Sequence, residues 1–320
     1  MNALNGNTNI SSGSRIIPLT CSGHTRPVVD IQFSSITPQG NYYLISACKD
    51  GNPMLREGVT GDWIGTFQGH KGAVWSARFS GDSNRAVTGS ADFTAKVWDT
   101  HNGKELHTFV HKHIVRAADF NTDNTKILTG GKERKLRIFD LYRPEAPAVE
   151  LEGHTDTVKA VIWDEAHHQV LSAGDDSTVR IWDLRTMVQS GIIECKDPVS
   201  TMSFDFSGEY VTWAAGNTAN FWKPGASFED VKTIETKKKT CSVSLHPSHK
   251  KFVAGSDEDL WVRIYDFKSG EELEVYKGHH GPIHTVSYSP DGEMYATGSE
   301  DGTIRLWQTD PTKPYGLWQK

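Results

Sequence analysis

The chain has 320 residues, a net charge of −6 and a pI near 6.2. That balance gives no global basic field for a nucleic-acid backbone. Its four cysteines (Cys21, Cys48, Cys195, Cys241) lie far apart without CxxC spacing, which argues against a zinc site or a disulfide framework and fits a reducing compartment. No apolar run reaches the roughly 18 residues a membrane span needs, and the N-terminus lacks the apolar stretch of a signal peptide.

Residues 1–15, MNALNGNTNISSGSR, are Asn-, Ser- and Gly-rich and read as a disordered arm, because they cannot bury enough apolar surface to offset chain entropy. From Ile16 short apolar alternations begin. Segments starting at Ile16, Trp63, Glu105, Val149, Met187, Val231 and Glu272 each precede a Gly-His pair or its equivalent. The unit is clearest at residues 69–99, GHKGAVWSARFSGDSNRAVTGSADFTAKVWD, and recurs at 153–183 and 278–308. In each copy the His precedes the Trp by 28 positions: His70 to Trp98, His154 to Trp182, His279 to Trp307. Self-similarity at about 40–45 residues with a GH…WD signature reads as WD40, four strands per propeller blade.

Seven outer segments and seven inner triplets give an all-β, seven-bladed propeller over residues 16–308. The first outer segment has no preceding blade, so it is expected to pair with the last blade's strand at 303–307, closing the ring and removing an open edge. Blade 1 carries extra residues, placed at 34–41. Blade 5 lacks the His and has Gly216 where Asp is usual, and blade 6 has Thr236-Lys237 in place of Gly-His. Residues 309–320 form a C-terminal tail containing Tyr315-Gly316-Leu317-Trp318.

His70, Thr88 or Ser90, Asp92 and Trp98 recur as His154, Ser172, Asp176 and Trp182, and as His279, Thr297 or Ser299, Asp301 and Trp307. A Ser-His-Asp triad would need one special copy in an oxyanion environment. A repeated set is better read as an internal network that satisfies each blade's buried polar groups. The phosphate-loop, HExxH, GxSxG and GxGxxG motifs are absent, so the chain is read as non-enzymatic, without cofactor or metal. The pairs His111/His113 and His167/His168 are read as loop and network histidines.

Local charge is more informative. The loops after each GH position and around each central Asp turn share one face. Arg26, Lys71, Lys112, His113, Lys132, Arg134 and Lys237, Lys238 and Lys239 are expected to gather there, with Arg116 and Lys135 in the same basic stretches. Two readings stay open: a basic docking patch for an acidic segment or an RNA backbone, and solvated loop charges. RNA is the weaker ligand, since interleaved aromatics are sparse. Trp75 and Phe93 are candidate interface anchors, whereas Trp213 is expected to be packed, and Trp63 and Trp261 to lie between blades.

Some segments are more particular. SGHTRPVVD at 22–30, ISACKDGNPMLREGVTGDWIGTF at 45–67 running into GHKGAVW, ADFTAKVWD at 91–99 and HKHIV at 111–115 closely resemble the serine/threonine kinase receptor-associated protein (unr-interacting protein) family. The resemblance covers nearly all of 16–318, and the ending YGLW also looks like that family. It implies a non-catalytic scaffold, cytoplasmic and nuclear, acting as a monomer within a larger complex. The implied partners are Gemin subunits of the survival-of-motor-neuron complex, which loads Sm proteins onto spliceosomal small nuclear RNAs, and an RNA-binding cold-shock-domain protein. It also implies a part in transforming-growth-factor-β receptor signalling. Vertebrate members continue into an acidic tail, whereas this chain stops at Lys320, so functions resting on that tail are not carried over. Two other classes share features. The propeller subunit of translation initiation factor 3 has the GHKGAVW and TGSAD phrasing, and a ubiquitin-ligase substrate receptor would use a WDxR motif, which Trp182-Asp183-Leu184-Arg185 fits.

Overall fold

The computed structural model describes residues 17–310, so the N-terminal arm and the YGLW segment lie outside the described residues. Among the described residues, twenty-eight strands form seven four-stranded antiparallel sheets. Six sheets use four consecutive strands, such as Val74–Phe79, Arg85–Ser90, Thr94–Asp99 and Glu105–Val110 of blade 2. The seventh takes its outermost strand, Leu19–Cys21, from the start of the chain, pairing Leu19 with Leu306, Thr20 with Arg305 and Cys21 with Ile304. This is the closure expected from the sequence, and it leaves the strand Ile304–Gln308 without an open edge.

Burial explains why each strand reads as it does. Second strands such as Arg85–Ser90 lie between two strands and two blades, and all but the first residue is buried. Outermost strands face solvent: in Glu105–Val110 only Phe109 is buried. The core is a set of layers between blades. Ile45, Leu55, Val74, Ala77 and Trp98 pack between blades 1 and 2. Leu128, Leu151, Val158 and Trp182 do so between blades 3 and 4, and Val28, Phe33, Met294 and Leu306 between blades 7 and 1. Each blade thus buries its faces only against its neighbours.

Innermost strands do not pair with one another, so their outward amides need other acceptors. Side chains of the preceding blade supply them. Asp30 accepts from the Ala77 amide at 3.2 Å, Gln32 from Phe79 at 2.8 Å and Asp119 from Trp163 at 2.9 Å. Ser242 and Ser244 accept from Val286 and Tyr288 at 3.1 and 3.0 Å.

The irregular blades keep the fold by other means. In blade 1 the extra residues form the connection 34–42. In blade 5 the second and third strands are joined by only Gly216 and Asn217, so the turn has no Asp position at all. Gly216 has φ +55°, and a Cβ there would lie 2.2 Å from Asp197 Oδ2, so a side chain is excluded. Trp213 takes the Ser/Thr place of the network and is 1% exposed, packed with Trp222 and Cys195 in an apolar layer. In blade 6 the strand register corrects the sequence alignment by one residue: Thr236, not Lys237, stands in the His place, bonding Thr240 Oγ1 at 2.8 Å and the Asn217 carbonyl at 2.9 Å.

Candidate functional site: the channel mouth and its surrounding face

The repeated polar residues meet within single blades. His70 Nδ1 lies 2.8 Å from Asp92 and Nε2 2.6 Å from Thr88 Oγ1, which also accepts from Trp98 Nε1 at 2.8 Å. His154 lies 2.7 Å from both Asp176 and Ser172, with Trp182 donating to Ser172 at 2.8 Å. His279 lies 3.1 Å from Asp301 and 2.7 Å from Thr297, with Trp307 donating at 2.9 Å. The sequence left Thr88 or Ser90, and Thr297 or Ser299, as alternatives; the network uses the threonines. Ser90 and Ser299 instead bond the Gly72 and Gly281 carbonyls and accept the amides of Asp92 and Asp301.

Each hydroxyl between imidazole and indole is fully buried, with no room for a substrate carbonyl. A carboxylate only accepts, so Nδ1 carries the proton and Nε2 accepts from the hydroxyl. Burial alone would raise the Asp92 carboxyl. Hydrogen bonds from His70, Thr94 and the Lys71 amide outweigh it and hold Asp92 well below the usual range.

Two further copies, whose partners the sequence did not identify, are built on His24 and His111. His24 bonds Asp50 at 3.0 Å and Ser46 at 2.8 Å, with Arg56 in the Trp register. The blade 1 insertion lengthens the spacing and hid it. His111 bonds Thr129 at 2.9 Å, and here the spacing was legible, but Glu133 stands in the Asp place and pairs with Arg137 at 2.7 Å. His24, Cys48 and Asp50 bring potential metal-ligating atoms within 4.8 Å of one another. Burial pushes the Cys48 thiol up to about 12 and Nδ1 of His24 already faces Asp50, so the trio does not fit a thiolate metal centre.

Every innermost strand carries a bulge at its second residue, which the pairing register skips: Val29, Trp75, Arg116, Lys159, Ser200, Cys241 and His284. A bulge re-aims a side chain, and here all seven line one cavity at the channel mouth. The Arg116 guanidinium lies 3.7 Å from the centre of the Trp75 ring. Lys159 pairs with Asp175 at 2.5 Å, and Lys49 and His284 share Glu300 at 3.7 and 2.6 Å. Deeper in the channel Arg78 holds Asp30 at 2.5 Å. Burial pushes the nearby Asp119 up to about 6 against the Trp163 amide and the Arg78 charge.

The predicted basic residues share this face but do not form one patch. Lys71, Lys112, Lys132 and Arg134 are exposed on blades 2 and 3, with Phe93 42% exposed and 5.4 Å from the His113 ring. Arg26 is exposed on blade 1. Lys237, Lys238 and Lys239 lie three blades away from blade 3, where Lys237 pairs with Glu272 at 3.0 Å and Lys239 with Asp257 at 2.8 Å. Lys135 is likewise bound to Glu150 and Glu152. Arg116 and Trp75 belong to the channel mouth and not to the rim. Trp63, expected between blades, is 60% exposed because it lies on an outermost strand. Trp261 is partly exposed beneath Lys277 Nζ, 4.1 Å from its ring. Arg185 of the WDxR sequence sits in a turn, its amide bonded to Asp183 at 2.7 Å, and its side chain is largely exposed.

Seven four-stranded blades, each built on the same His, hydroxyl, Asp and Trp plan or a variant of it, define a WD40 β-propeller. The model of the "WD domain, G-beta repeat" family matches residues 61–99, 103–140, 146–183 and 270–308, leaving the divergent blades 1, 5 and 6 largely unmatched. The human serine-threonine kinase receptor-associated protein is 54% identical over 305 residues, 95% of this chain and 86% of that protein. The protein of the same name from Dictyostelium discoideum is 48% identical over 91% of this chain and 98% of its own length. Subunit I of eukaryotic translation initiation factor 3 from Culex quinquefasciatus is 27% identical over 90% of this chain and 95% of its own. The chain belongs to the serine-threonine kinase receptor-associated protein family, as a non-catalytic WD40 scaffold.

Proposed function

We propose that the chain docks protein segments in the cytoplasmic and nuclear assembly of spliceosomal small nuclear ribonucleoproteins, as the family resemblance implies. Gemin-type subunits and a cold-shock-domain RNA-binding protein are its partners in this reading. The name of its relatives also supports an association with receptor serine/threonine kinases. The observation that carries a docking role is the sector of blades 2 and 3. There Lys71, Lys112, Lys132 and Arg134 stand exposed, their side-chain charges in no ion pair among the described residues, beside the exposed Phe93 ring. Unpaired charge around an aromatic anchor favours an acidic partner segment.

A tagged wild-type chain and a Lys112→Glu, Lys132→Glu, Arg134→Glu variant test this by co-purification and mass spectrometry. Lys135 is left alone, because reversing it would set a third carboxylate against Glu150 and Glu152. Sm and Gemin-type proteins are expected with the wild type and lost from the variant at unchanged melting temperature. Recovery of small ribosomal subunits and initiation-factor subunits instead would refute the splicing assignment. Undiminished capture by the variant would show that this sector is solvated surface.

A further inference from the structure

The cavity at the channel mouth does not end at its crown. It shares Lys159 and Ser200 with a second hollow that runs outward over blade 5 past Gly216, Asn217 and Thr218 to Glu235. The outer hollow exists because only two residues join the second and third strands of blade 5, against three in blade 4 and four in blade 6. This is the shortest such connection in the ring, and the two hollows adjoin along Lys159 and Ser200, which gives a path from rim to channel.

Charge differs between its ends. In the mouth Lys159 is tied to Asp175, and Lys49 and His284 share Glu300. Arg116 is left over: among the described residues its guanidinium forms no ion pair and no hydrogen bond, and it lies over the face of Trp75, 3.7 Å from the ring centre. A guanidinium lying on an indole is held in place with its N–H edge free, which suits bidentate binding of a carboxylate. Burial lowers the Arg116 pKa and Asp175 opposes this only in part, so an incoming anion would relieve a partly compensated buried charge. Towards the rim the lining carries Asp197 and Glu235 with Lys196 and Lys239, and Lys239 is already tied to Asp257 at 2.8 Å, so that end offers no excess of positive charge.

We propose that this groove takes an extended protein segment that is acidic at its inner end, with one carboxylate seated on Arg116 and an uncharged stretch crossing blade 5. The inference rests on the scaffold function and adds where a segment lies and what chemistry it carries. RNA matches less well, since a phosphate on every residue would meet Asp197 and Glu235, and the Trp75 face that could stack a base is covered by Arg116.

Selection of a phage-displayed random dodecapeptide library on the immobilised wild-type protein tests this. Enriched peptides are then synthesised and titrated by fluorescence anisotropy. Enrichment of Asp or Glu near one end is expected. Binding should weaken about tenfold or more in Arg116→Ala, as for loss of a charge-assisted bond. Ser200→Tyr, which blocks the passage between the hollows, should weaken it too. Arg116→Gln serves as a second variant, and all are compared at unchanged melting temperature. Acidic peptides that the Arg116 variants bind normally and the Lys112→Glu, Lys132→Glu, Arg134→Glu variant loses sit on the exposed sector of blades 2 and 3 and count against the groove. Absence of acidic enrichment, or equal affinity in Arg116→Ala and Arg116→Gln, overturns the proposal. Either result leaves the scaffold function standing as long as the wild-type chain still captures its partners on co-purification.

Discussion

Replacing Thr88 by Val is the sharpest test of what the recurring polar residues do. Thr88 is 0% exposed and one hydroxyl serves two rings, donating to His70 Nε2 at 2.6 Å and accepting from Trp98 Nε1 at 2.8 Å. Val has nearly the same shape, so the loss is polar. It strands one buried donor and one buried acceptor, each costing about 1–3 kcal/mol, for about 2–6 kcal/mol in all. Ser90→Ala two positions on is the control. Its hydroxyl makes longer bonds, 3.3 Å to the Gly72 carbonyl and 3.1 Å from the Asp92 amide, and its removal should cost about 1 kcal/mol. Urea unfolding followed by tryptophan fluorescence reads both, provided the slope with denaturant is unchanged. If Thr88→Val cost no more than Ser90→Ala, the hydroxyl would not be the centre of the network, and the structural assignment of His70, Asp92 and Trp98 would fail.

Acid should destabilise the propeller well above the carboxylate range. Burial holds His279 and His111 at about 4, and His154 is lowered in the same direction, so the folded state resists protons that the unfolded chain accepts from about pH 6.5. Their contribution is present above pH 6.5 and lost as pH falls towards 4. Asp119, pushed up to about 6, acts in the opposite sense and offsets part of it. A net loss of about 2–3 kcal/mol between pH 7.5 and 5.0 is expected from urea midpoints, and a flat profile would contradict buried neutral imidazoles. A chain starting at Ser22 loses the closing strand and leaves Ile304–Gln308 as an open edge. It should melt at least roughly 10 °C lower and self-associate by light scattering, and a monomer of unchanged stability would show that the closure is dispensable.

How much of the site was legible depends on how far apart its parts lie in sequence. His70, Asp92 and Trp98 belong to one hairpin system, so their spacing repeats and the set can be found by eye. His24 belongs to the same plan, but the insertion at 34–42 shifted its partners Ser46 and Asp50 out of register with the other copies. The seven bulged residues at the channel mouth have no shared identity, running from Val29 to His284, so no motif marks them. Lys237 and Lys239 look identical in sequence to Lys112 and Lys132, yet the first two face Glu272 and Asp257 and the second two face water.

The sequence by itself determined the repeat, the seven blades, the closing strand and the family, because each rests on short-range spacing that every blade must satisfy alone. Only the tertiary structure decided which charges are spent on one another and which remain for a partner. That distinction turns on contacts between blades: Lys49 of blade 1 meets Glu300 of blade 7, and Arg116 of blade 3 lies on Trp75 of blade 2. Bringing such residues to within a few ångströms is a property of the closed ring, which no local pattern records.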